Sequence, residues 1–286
     1  MTIRSLLDQG SPVLSFEYFP PKTEQGEQNL FERIQSMKSL EPGFVSITCG
    51  AGGSTRHRTI DWAERIKHEI GLEVVAHMTC LGLTREQLAD EIAQLKEHKI
   101  ENVLALRGDP PKDAPDFSIP DGSCHYAIDL VRIVAESYPE ACVLGACYPE
   151  VHVDAASREA DLRHLKEKCD AGIDVLVTQL FLDNKHYFDF VSETRAAGID
   201  QPIVPGIMPM TAASQVDRFT QMHTSVPQEL LAKLEECGED KQAALAVGVR
   251  HATDQCRELL DKGAPGIHFY TLNQSPATSM IVEALR

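Results

Sequence analysis

Eight short apolar segments rich in β-branched residues, separated by stretches with helical spacing, constrain the fold of this chain more than any other feature. The segments span residues 13–19, 44–50, 73–80, 102–108, 142–148, 174–181, 202–208 and 266–272. Most are continuous apolar runs with little alternation, which is typical of parallel strands that are buried on both faces. The sequence therefore predicts eight buried parallel strands.

Helical spacing fills most of the intervals between these segments. The clearest stretches span residues 26–40, 56–70, 84–98, 127–137, 155–171 and 185–196. Strand–helix alternation at intervals of about 30 residues is typical of βαβ units, and eight units in a row fit a closed barrel. The length of 286 residues also fits, since such barrels need about 250. We therefore expect an α/β fold, a single (β/α)8 TIM barrel.

An open doubly wound sheet is the alternative architecture. Its dinucleotide-binding turn would need the pattern G-x-G-x-x-G. The stretch that comes closest to this pattern, residues 50–55, has Thr55 in place of the third glycine. The barrel is therefore favoured.

The last third of the chain predicts additional helices within the same domain. Residues 211–263 are too many for one helix and predict two or three, including an acidic one at 227–237. The tail after the last strand, residues 273–286, leaves room for a brief helix. Because no linker or low-complexity stretch interrupts the sequence, we expect a single catalytic barrel domain over residues 1–286.

Charge and cysteine spacing argue against several classes of protein. The net charge of −16 makes nucleic acid and anionic membranes poor partners. No apolar run approaches the roughly 20 residues that span a membrane, and Asp8 comes before any signal-peptide core could form. The eight cysteines include no C-x-x-C pair, which argues against a metal site and, without a secretory signal, against disulfides. We expect a cytoplasmic protein with no bound metal.

Polar and ionisable residues concentrate where the predicted strands end. In a barrel of this kind, function lies at the carboxyl ends of the strands and in the loops that follow them. Those positions hold Glu17, Thr48, His77, Thr79, Arg107, Gly108, Asp109, Tyr148, Glu150, His152, Thr178, Gln179, Gly206, Tyr270 and Asn273. The sequence therefore predicts one ligand-binding rim.

Six motifs at these strand ends follow one another in a distinctive order. They are SFEYFPPK at 15–22, LRGDP at 106–110, YPEVH at 148–152, TQLF at 178–181, PGIMP at 205–209 and HFYTLN at 268–273. Each motif is weak alone, but the ordered set is specific. Over residues 15–273 it resembles the catalytic barrel of the methylenetetrahydrofolate reductases, in particular the bacterial type.

The resemblance implies a barrel that binds FAD and reduces 5,10-methylenetetrahydrofolate to 5-methyltetrahydrofolate, a reaction of one-carbon metabolism and methionine biosynthesis. NADH or NADPH would reduce the flavin and leave, and the folate would then take the hydride from the same flavin face. The resemblance also implies that the regulatory domain of larger relatives is absent. The sequence does not choose between NADH and NADPH, and it leaves the oligomeric state open, a homo-oligomer included.

Glu17 is the candidate general acid. Opening the five-membered ring of the methylene folate to a 5-iminium cation requires protonation of a folate nitrogen. A carboxyl group between Phe16 and Tyr18 in an apolar strand can stay protonated near neutral pH, because burial disfavours its charged form. From the strand alone, a rim carboxylate paired with a basic residue is an equal interpretation, and the resemblance favours the acid.

Asp109 has an electrostatic role in the same interpretation. The resemblance places it beside the flavin and the pterin, where an ionised carboxylate would stabilise developing positive charge. Without the resemblance, a turn cap before Pro110 and Pro111 is the more ordinary interpretation. Glu17 and Asp109 would then supply one protonated and one ionised carboxyl group to a single site.

The resemblance also implies which residues contact the cofactor. Arg107 would supply charge to a phosphate, and Gly108 would allow close approach of the backbone. The other implied cofactor positions are Thr48, Cys49, Ala51, His77, Asp109, Tyr126, Ala127, Tyr148, His152, Ala155, Asp161, His164 and Lys168. Taken alone, the histidines and aromatic residues would be ordinary barrel-end or core residues, and the charged positions within 155–171 a solvated helix face.

On the folate side, the resemblance implies three contacts. Gln179 offers a donor–acceptor amide to the pterin edge, while Gln215 and Phe219 lie one turn apart on a later helix. Phe219 would stack on the aminobenzoate or the nicotinamide, and a core aromatic is a nearly equal interpretation. Many family members have an arginine where this chain has Gln274, so the glutamate tail of the folate would be held less tightly or by another cation.

Two other functions remain open at this point. The first is a flavin-free barrel that binds a pterin and transfers its methyl group to a corrinoid protein. The second is a subunit of a larger redox complex, which would accept electrons from a partner. A purified protein without flavin would favour the first, and failure to oxidise NADH without a partner would favour the second.

Overall fold

The computed structural model of this chain describes residues 1–21, 23–49, 56–110, 117–274 and 276–286. Within them, nine parallel strand segments form the barrel wall. In chain order they are β1 (Val13–Tyr18), β2 (Phe44–Ile47), β3 (Val74–Thr79), β4 (Asn102–Leu106), β5 (Cys142–Cys147), β6 (Val175–Thr178), β7 (Ile203–Val204), β8 (Gly206–Ile207) and β9 (Gly266–Tyr270). Their order in the sheet is β7-β6-β5-β4-β3-β2-β1-β9-β8. All eight predicted strands and the α/β barrel class are confirmed.

The predicted seventh strand is divided in two at Pro205. β7 pairs with β6 and β8 pairs with β9, so the two halves join opposite edges of the sheet and close it into a barrel. Proline has no N–H to donate, but its carbonyl accepts from the His268 N–H at 2.9 Å. The Gly206 N–H donates to the Thr178 hydroxyl at 2.9 Å. A Cβ on Gly206 would lie 2.5 Å from the Tyr270 ring, so only glycine can occupy this closing point.

Helices surround the barrel, and the described residues contain eleven α-helices. They are α1 (Ile3–Leu7), α2 (Glu24–Met37), α3 (Arg56–Arg65), α4 (Arg85–Glu97), α5 (Ala127–Ser137), α6 (Arg158–Asp170), α7 (Asn184–Ala196), α8 (Val216–Gln221), α9 (Gln228–Glu236), α10 (Lys241–Asp261) and α11 (Pro276–Leu285). The six predicted helices are all confirmed, and α5 has the predicted bounds. The long predicted segment contains α8, α9 and α10, and α9 is the predicted acidic helix.

The short helix α1 is the element that the sequence did not predict, because five residues are too few to show a helical period. It covers the N-terminal ends of the strands. Ile3 and Leu7 are buried there in one cluster with Val13 and Phe44. The Ile3 N–H donates to the Asn102 side-chain oxygen at 2.7 Å. This end of the barrel is therefore filled by the chain itself.

Alternation along the strands separates two environments. Since successive side chains of a strand point to opposite faces, Phe16 and Tyr18 pack against the surrounding helices. Val13 packs inside the barrel, so Ser15 and Glu17 follow it on the inner face. The helix layer thus takes the large apolar residues of β1, and the barrel interior takes its polar ones.

A separate apolar cluster lies under the segment that follows β8. Phe219 of α8 is its centre and is fully buried. The other buried members are Leu180, Leu182, Met208, Met210, Leu230, Leu234 and Ala244. Helices α8 and α9 therefore rest on the loop after β6 and on α10. No helix among the described residues is long and apolar enough to cross a membrane.

Candidate active site

The interior of the barrel changes from apolar to polar toward the carboxyl ends of the strands. Near α1 the inner face is lined by residues such as Val75, Leu104 and Leu144. Further along the same strands it is lined by Ser15, Glu17, Ser46, Thr48, His77, Thr79, His268 and Tyr270. Polar side chains from β1, β2, β3 and β9 therefore meet at one mouth, as the sequence predicted for the strand ends.

Glu17 lies at the centre of this polar layer. Its residue is 7% exposed, and its Oε2 atom lies 3.6 Å from His77 Nε2 and 3.7 Å from His268 Nε2. Both distances exceed a good hydrogen bond. The carboxyl group is thus buried between two imidazoles without a basic lysine or arginine partner in the described structure, unlike the rim ion pair that the strand alone allowed.

His77 faces Glu17 from β3 in its neutral form. Burial lowers the pKa of His77 to about 4, against the opposing influence of the Glu17 charge. At neutral pH the ring is therefore uncharged and does not neutralise Glu17. Its Nε2 atom is buried and has no hydrogen-bond partner among the described residues.

His268 faces Glu17 from β9 and is held firmly. Its Nδ1 atom lies 2.8 Å from the Ser15 hydroxyl oxygen, and its ring stacks on Phe44 with the planes 12° apart. The edge of the ring meets Tyr270, whose hydroxyl donates to the Thr178 carbonyl at 2.6 Å. Burial and the nearby Glu17 charge raise the pKa of Tyr270, so its phenol stays protonated.

Ser15 and His268 stand in two of the six motifs, but neither was predicted to have a role in the site. One signal was available in the sequence. Ser15 and Glu17 alternate on β1, and His268 and Tyr270 alternate on β9, so each pair shares a strand face. Polar residues at every second position of an apolar strand indicate a polar barrel interior.

The loops after β1 and β9 are joined at the mouth by Asn273. Its side-chain amide donates to the Phe19 carbonyl and its oxygen accepts from the Phe19 N–H, both at 2.8 Å. Thr271 donates its hydroxyl proton to the Glu17 carbonyl at 2.5 Å. Leu272 and Asn273 both have left-handed backbone angles, with φ of 51° and 58°. These contacts fix the backbone from Glu17 to Phe19.

A second group of predicted residues lies around Tyr148, after β5. His152 meets the Tyr148 ring edge-on, with 4.5 Å between ring centroids. Asp161 of α6 accepts a hydrogen bond from the His152 N–H at 3.0 Å. Burial, with Cys147, Asp161 and Asp109 nearby, raises the pKa of Tyr148. The structure thus brings Tyr148, His152, Asp161 and Asp109 into one neighbourhood, with Asp109 itself exposed at the rim.

Arg107 and Gly108 form the turn that follows β4. One Arg107 nitrogen, Nη1, lies 3.5 Å from Asp154, while its Nε atom is buried and has no partner among the described residues. Gly108 has φ of 83°, and a Cβ there would lie 2.9 Å from Thr79 Cβ. Glycine is therefore required at this turn, and the arginine beside it keeps hydrogen-bonding capacity for a ligand.

The remaining predicted positions on α6 differ in their surroundings. Lys168 donates from Nζ to the Ala146 carbonyl at 2.9 Å, and burial lowers its pKa. His164 is exposed, and Ala155 is half-buried in the loop before the helix. Lys168 thus points at the barrel wall near β5, whereas His164 faces solvent.

Tyr126 and Ala127 begin α5 at the same rim. Tyr126 is 65% exposed, which makes it the most exposed large hydrophobic residue of the described part of the chain. The Cys80 thiol donates to the Tyr126 carbonyl at 3.2 Å, so the backbone is fixed, while the ring contacts His125 and is otherwise largely exposed. An exposed ring beside a polar mouth is suited to cover a flat ligand.

The loop after β2 holds the last three predicted cofactor positions. Thr48 is buried, and its hydroxyl oxygen has no hydrogen-bond partner among the described residues. Cys49 is half-buried and lies 3.8 Å from the Thr79 hydroxyl. Ala51 lies outside the described residues.

The three predicted folate contacts are distributed over two elements. Gln179 is half-buried after β6, and its side-chain oxygen accepts from the Leu180 N–H at 2.9 Å. The Gln215 side-chain oxygen accepts from the N–H groups of Thr211 and Ala212, at 2.8 and 3.1 Å. Gln215 therefore caps its own turn, and Phe219 is fully buried in the α8 core, as the alternative interpretation of this residue expected.

Several buried polar atoms of the mouth lack a partner within the described residues. They are Ser46 Oγ, Thr48 Oγ1, His77 Nε2 and Arg107 Nε. Buried polar atoms in native proteins almost always have partners, so this set fits a bound ligand with several hydrogen-bonding atoms. Among the same residues no group of three or more His, Cys, Asp or Glu side chains could hold a metal ion, and no cysteine forms a disulfide.

Comparison with protein families gives one match over nearly the whole chain. Residues 2–286 match the family described as methylenetetrahydrofolate reductase. A protein of Arabidopsis thaliana named methylenetetrahydrofolate reductase (NADH) 1 is 40% identical over 285 residues, which cover 95% of this chain and 48% of that protein. This chain therefore spans about half the length of the plant relative.

A bacterial relative and a solved structure match over greater shares of their own length. The 5,10-methylenetetrahydrofolate reductase of Pectobacterium carotovorum is 38% identical over 280 residues, 97% of this chain and 91% of that protein. An uncharacterized protein from Clostridium thermocellum, described as binding two copies of 5-methyl-5,6,7,8-tetrahydrofolic acid, has a TM-score of 0.66 and 13% identity. The match covers 100% of this chain and 98% of that one, and at this identity it shows a shared fold.

Proposed function

This chain belongs to the methylenetetrahydrofolate reductase family, and from that membership we propose that it reduces 5,10-methylenetetrahydrofolate to 5-methyltetrahydrofolate. The observation that supports this activity most directly is the buried Glu17 carboxyl group at the barrel mouth, between two imidazoles. A buried carboxyl group without a basic partner is suited to donate a proton. Most residues of the site come from strands and strand-end loops and the others from the adjoining helices, so we propose that residues 1–286 form one catalytic barrel.

Glu17 supplies the proton that opens the substrate ring. Its carboxyl group gives a proton to a nitrogen of the five-membered ring, the bond between that nitrogen and the methylene carbon breaks, and the cation remains as an iminium at N5. Hydride addition to the methylene carbon then gives the methyl group. Burial keeps His77 neutral and Tyr270 stays protonated, so neither of these two side chains places a positive charge beside Glu17.

Asp109 offers a negative charge to the iminium cation. It lies at the exposed rim after β4, close enough to Tyr148 to affect the pKa of that phenol. An ionised carboxylate near a developing cation stabilises the transition state, provided that it is already in place. Gln179, at the end of β6, is the remaining side chain for the pterin edge. Gln215 and Phe219 would contribute through the shape of the α8 region, because both side chains are already engaged.

FAD is the cofactor in this proposal, and when bound it would transfer hydride from the nicotinamide to the folate. Arg107 and Gly108 suit its phosphates, since the arginine has a buried unpaired Nε and the glycine turn admits close approach. Thr48 and His77 offer unpaired polar atoms to the ring system, and the exposed Tyr126 would cover it. Cys49, Ala51, Ala127, Tyr148, His152, Ala155, Asp161, His164 and Lys168 complete the proposed cofactor surroundings.

NADH is the proposed hydride donor. The 40% identical Arabidopsis thaliana relative is named as an NADH enzyme, which supports NADH over NADPH. Nicotinamide and pterin are both flat and need the same flavin face, so one must leave before the other binds. We therefore propose two half-reactions that alternate at one mouth.

An absorption spectrum of the purified protein tests the proposal. We expect an oxidised-flavin band that bleaches on anaerobic addition of NADH and returns on addition of 5,10-methylenetetrahydrofolate. If no flavin is retained even after addition of FAD, the reductase proposal fails and a flavin-free methyl transfer replaces it. If the flavin ignores both NADH and NADPH, the chain needs an electron-donating partner.

A further inference from the structure

Glu150 is a half-buried acidic residue that the proposed chemistry does not use. It follows β5 in the turn Tyr148–Val151, and its side chain is 14% exposed. Its Oε2 atom accepts a hydrogen bond from the Ser225 N–H at 3.0 Å, a residue 75 positions later in the chain. Its Oε1 atom is buried and has no partner among the described residues. Burying a carboxylate is costly unless it is hydrogen-bonded, so the Ser225 N–H contributes to holding Glu150 in this position.

The turn that holds Glu150 is itself strained and braced. Val151 has φ of 74°, a left-handed angle that is costly for a β-branched residue. Arg158 of α6 donates to the carbonyls of Tyr148 and Pro149, at 3.2 and 2.8 Å. Strain of this kind persists only where surrounding contacts enforce it. The direction of the Glu150 side chain is therefore fixed before it reaches Ser225.

The receiving side is the stretch of residues 211–226, here called the α8 segment. It contains Gln215 and Phe219, and it ends beside the loops after β5 and β6. Thr224 donates its hydroxyl proton to the Leu180 carbonyl at 3.0 Å, next to the Ser225 contact with Glu150. The His186 ring of α7 lies 3.1 Å from the Ser225 hydroxyl and 3.5 Å from Glu150 Oε2.

These contacts join the two sides of the mouth that the proposed function assigns to different ligands. The turn at Tyr148 belongs to the cofactor side, and the α8 segment belongs to the folate side. We propose that Glu150 is a positioning residue that seats the α8 segment against the cofactor-side turn, and so sets the width of the folate site. The inference rests on the proposed function for its kinetic consequence, but the seating itself is a property of the fold.

Amide hydrogen exchange tests the seating without reference to activity. In Glu150→Ala, the amides of residues 222–226 should lose protection, since the Ser225 N–H loses its acceptor. In Glu150→Gln, protection should largely return, because the amide oxygen can accept the same hydrogen bond. Glu193→Gln is a matched control, since it removes a carboxylate that pairs with Arg158 of α6 and not with the described α8 segment. A Ser225 amide that stays protected in Glu150→Ala overturns the inference.

Kinetics of the same variants test the consequence for the folate site. We expect about a tenfold rise in KM for the methylene folate in Glu150→Ala, from loss of one charge-assisted hydrogen bond, with kcat within threefold. Glu150→Gln should restore KM to within threefold, and Glu193→Gln should leave it unchanged. An unchanged KM in Glu150→Ala, or a loss that appears only in kcat, overturns the positioning role.

Failure of the inference can be told from failure of the proposed function. If the wild-type protein does not reduce the folate, the proposed function fails while hydrogen exchange still decides whether Glu150 seats the α8 segment. If global unfolding in Glu150→Ala raises exchange at every amide, Ser225→Pro replaces it. This change removes the donor N–H and also the hydroxyl beside His186, so Ser225→Ala is its control. The proline variant should expose residues 222–224 and 226 without change at the strands. Protection of these amides in both Glu150→Ala and Ser225→Pro contradicts the inference.

Discussion

The two ends of this barrel are built from the same strands and differ in polarity and in how far their buried polar groups are hydrogen-bonded. At the α1 end the interior is apolar, and its buried polar group, Asn102, has partners on both sides of its amide. At the opposite mouth the interior is polar, and buried atoms of Thr48, His77 and Arg107 lack partners within the described structure. The comparison indicates that stability is concentrated at one end and ligand-binding capacity at the other.

Backbone geometry, by contrast, is similar at the two ends. Gly108, Val151, Leu272 and Asn273 all have positive φ and lie in loops at the mouth. The loops that enter the strands at the α1 end also contain positive φ angles, at Gly10, Glu41, Gly71 and Lys99. The strained loops at the mouth are fixed by side chains such as Asn273 and Arg158, so the cost of that geometry is offset locally.

The largest expected effect at the mouth is that of Glu17→Gln. Loss of the donated proton should slow the folate half-reaction by about 10²–10⁴-fold, while NADH-to-flavin transfer should stay within a few-fold of wild type. Stopped-flow absorbance of each half-reaction measures both. An equal loss in the two half-reactions would remove the assigned role from Glu17.

Leu144→Ala, at the apolar end, should lower the stability of the fold and leave the half-reactions unchanged. Leu144 is fully buried in the interior cluster near α1, and its truncation should destabilise the fold by about 3 kcal/mol. Both half-reactions of the folded fraction should keep their rates. Urea unfolding combined with the stopped-flow assay checks this, and a selective loss of folate reduction would contradict the separation of the two ends.

The lowered pKa of His77 predicts how the free energy of unfolding depends on pH. Its pKa is about 4 in the folded protein, against an ordinary value of 6.5, so the unfolded chain binds the proton more readily. Stability should therefore be intact above about pH 6.5 and fall as pH decreases toward 4, by about 3 kcal/mol from this group. Unfolding curves of wild type and His77→Gln measure it. Parallel pH dependences for the two proteins would show that His77 is not the cause.

Asp109→Asn should have a smaller effect than Glu17→Gln, because the residue is exposed and its charge is partly screened. We expect about a tenfold slower folate half-reaction and a shifted flavin potential. Stopped-flow kinetics and a redox titration of the flavin make the two measurements. A variant with wild-type rate and potential would remove Asp109 from the site.

The smallest expected effect is that of Thr48→Val. The sign of its change in stability distinguishes the mouth from the apolar end. The Thr48 hydroxyl is buried without a partner in the described structure, so an isosteric apolar side chain should leave stability unchanged or raise it by about 1 kcal/mol. Cofactor retention should decrease. Thermal unfolding of the protein without added FAD, together with a flavin-binding titration, measures both. A clear loss of stability would mean that this hydroxyl contributes to the fold.

The sequence predicted the barrel well because buried parallel strands have a strong local signature. It did not predict the division at Pro205, since the break depends on how the two sheet edges meet. It did not predict α1 either, because five residues show no period. Both features are set by tertiary contacts, which local patterns do not contain.

The candidate site was predictable to the extent that its residues lie at strand ends. Glu17 and His77 do lie together, as expected from that rule. The folate contact predicted for Gln215 was less predictable, because the N–H groups of Thr211 and Ala212 already donate to its side-chain oxygen. His268 was missed because its role depends on which strand β9 adjoins. Glu150 was noted at the rim, but its contact with Ser225 spans 75 positions and leaves no local pattern.

The filled end beside α1 has a consequence for the order in which ligands bind and leave. Because that end is filled, ligands enter and leave the site at the mouth. Under the proposed function, NAD⁺ would have to dissociate through the mouth before the folate could bind there. Each product should therefore compete with the next substrate for the mouth. A high concentration of NADH should inhibit the folate half-reaction by occupying the folate site.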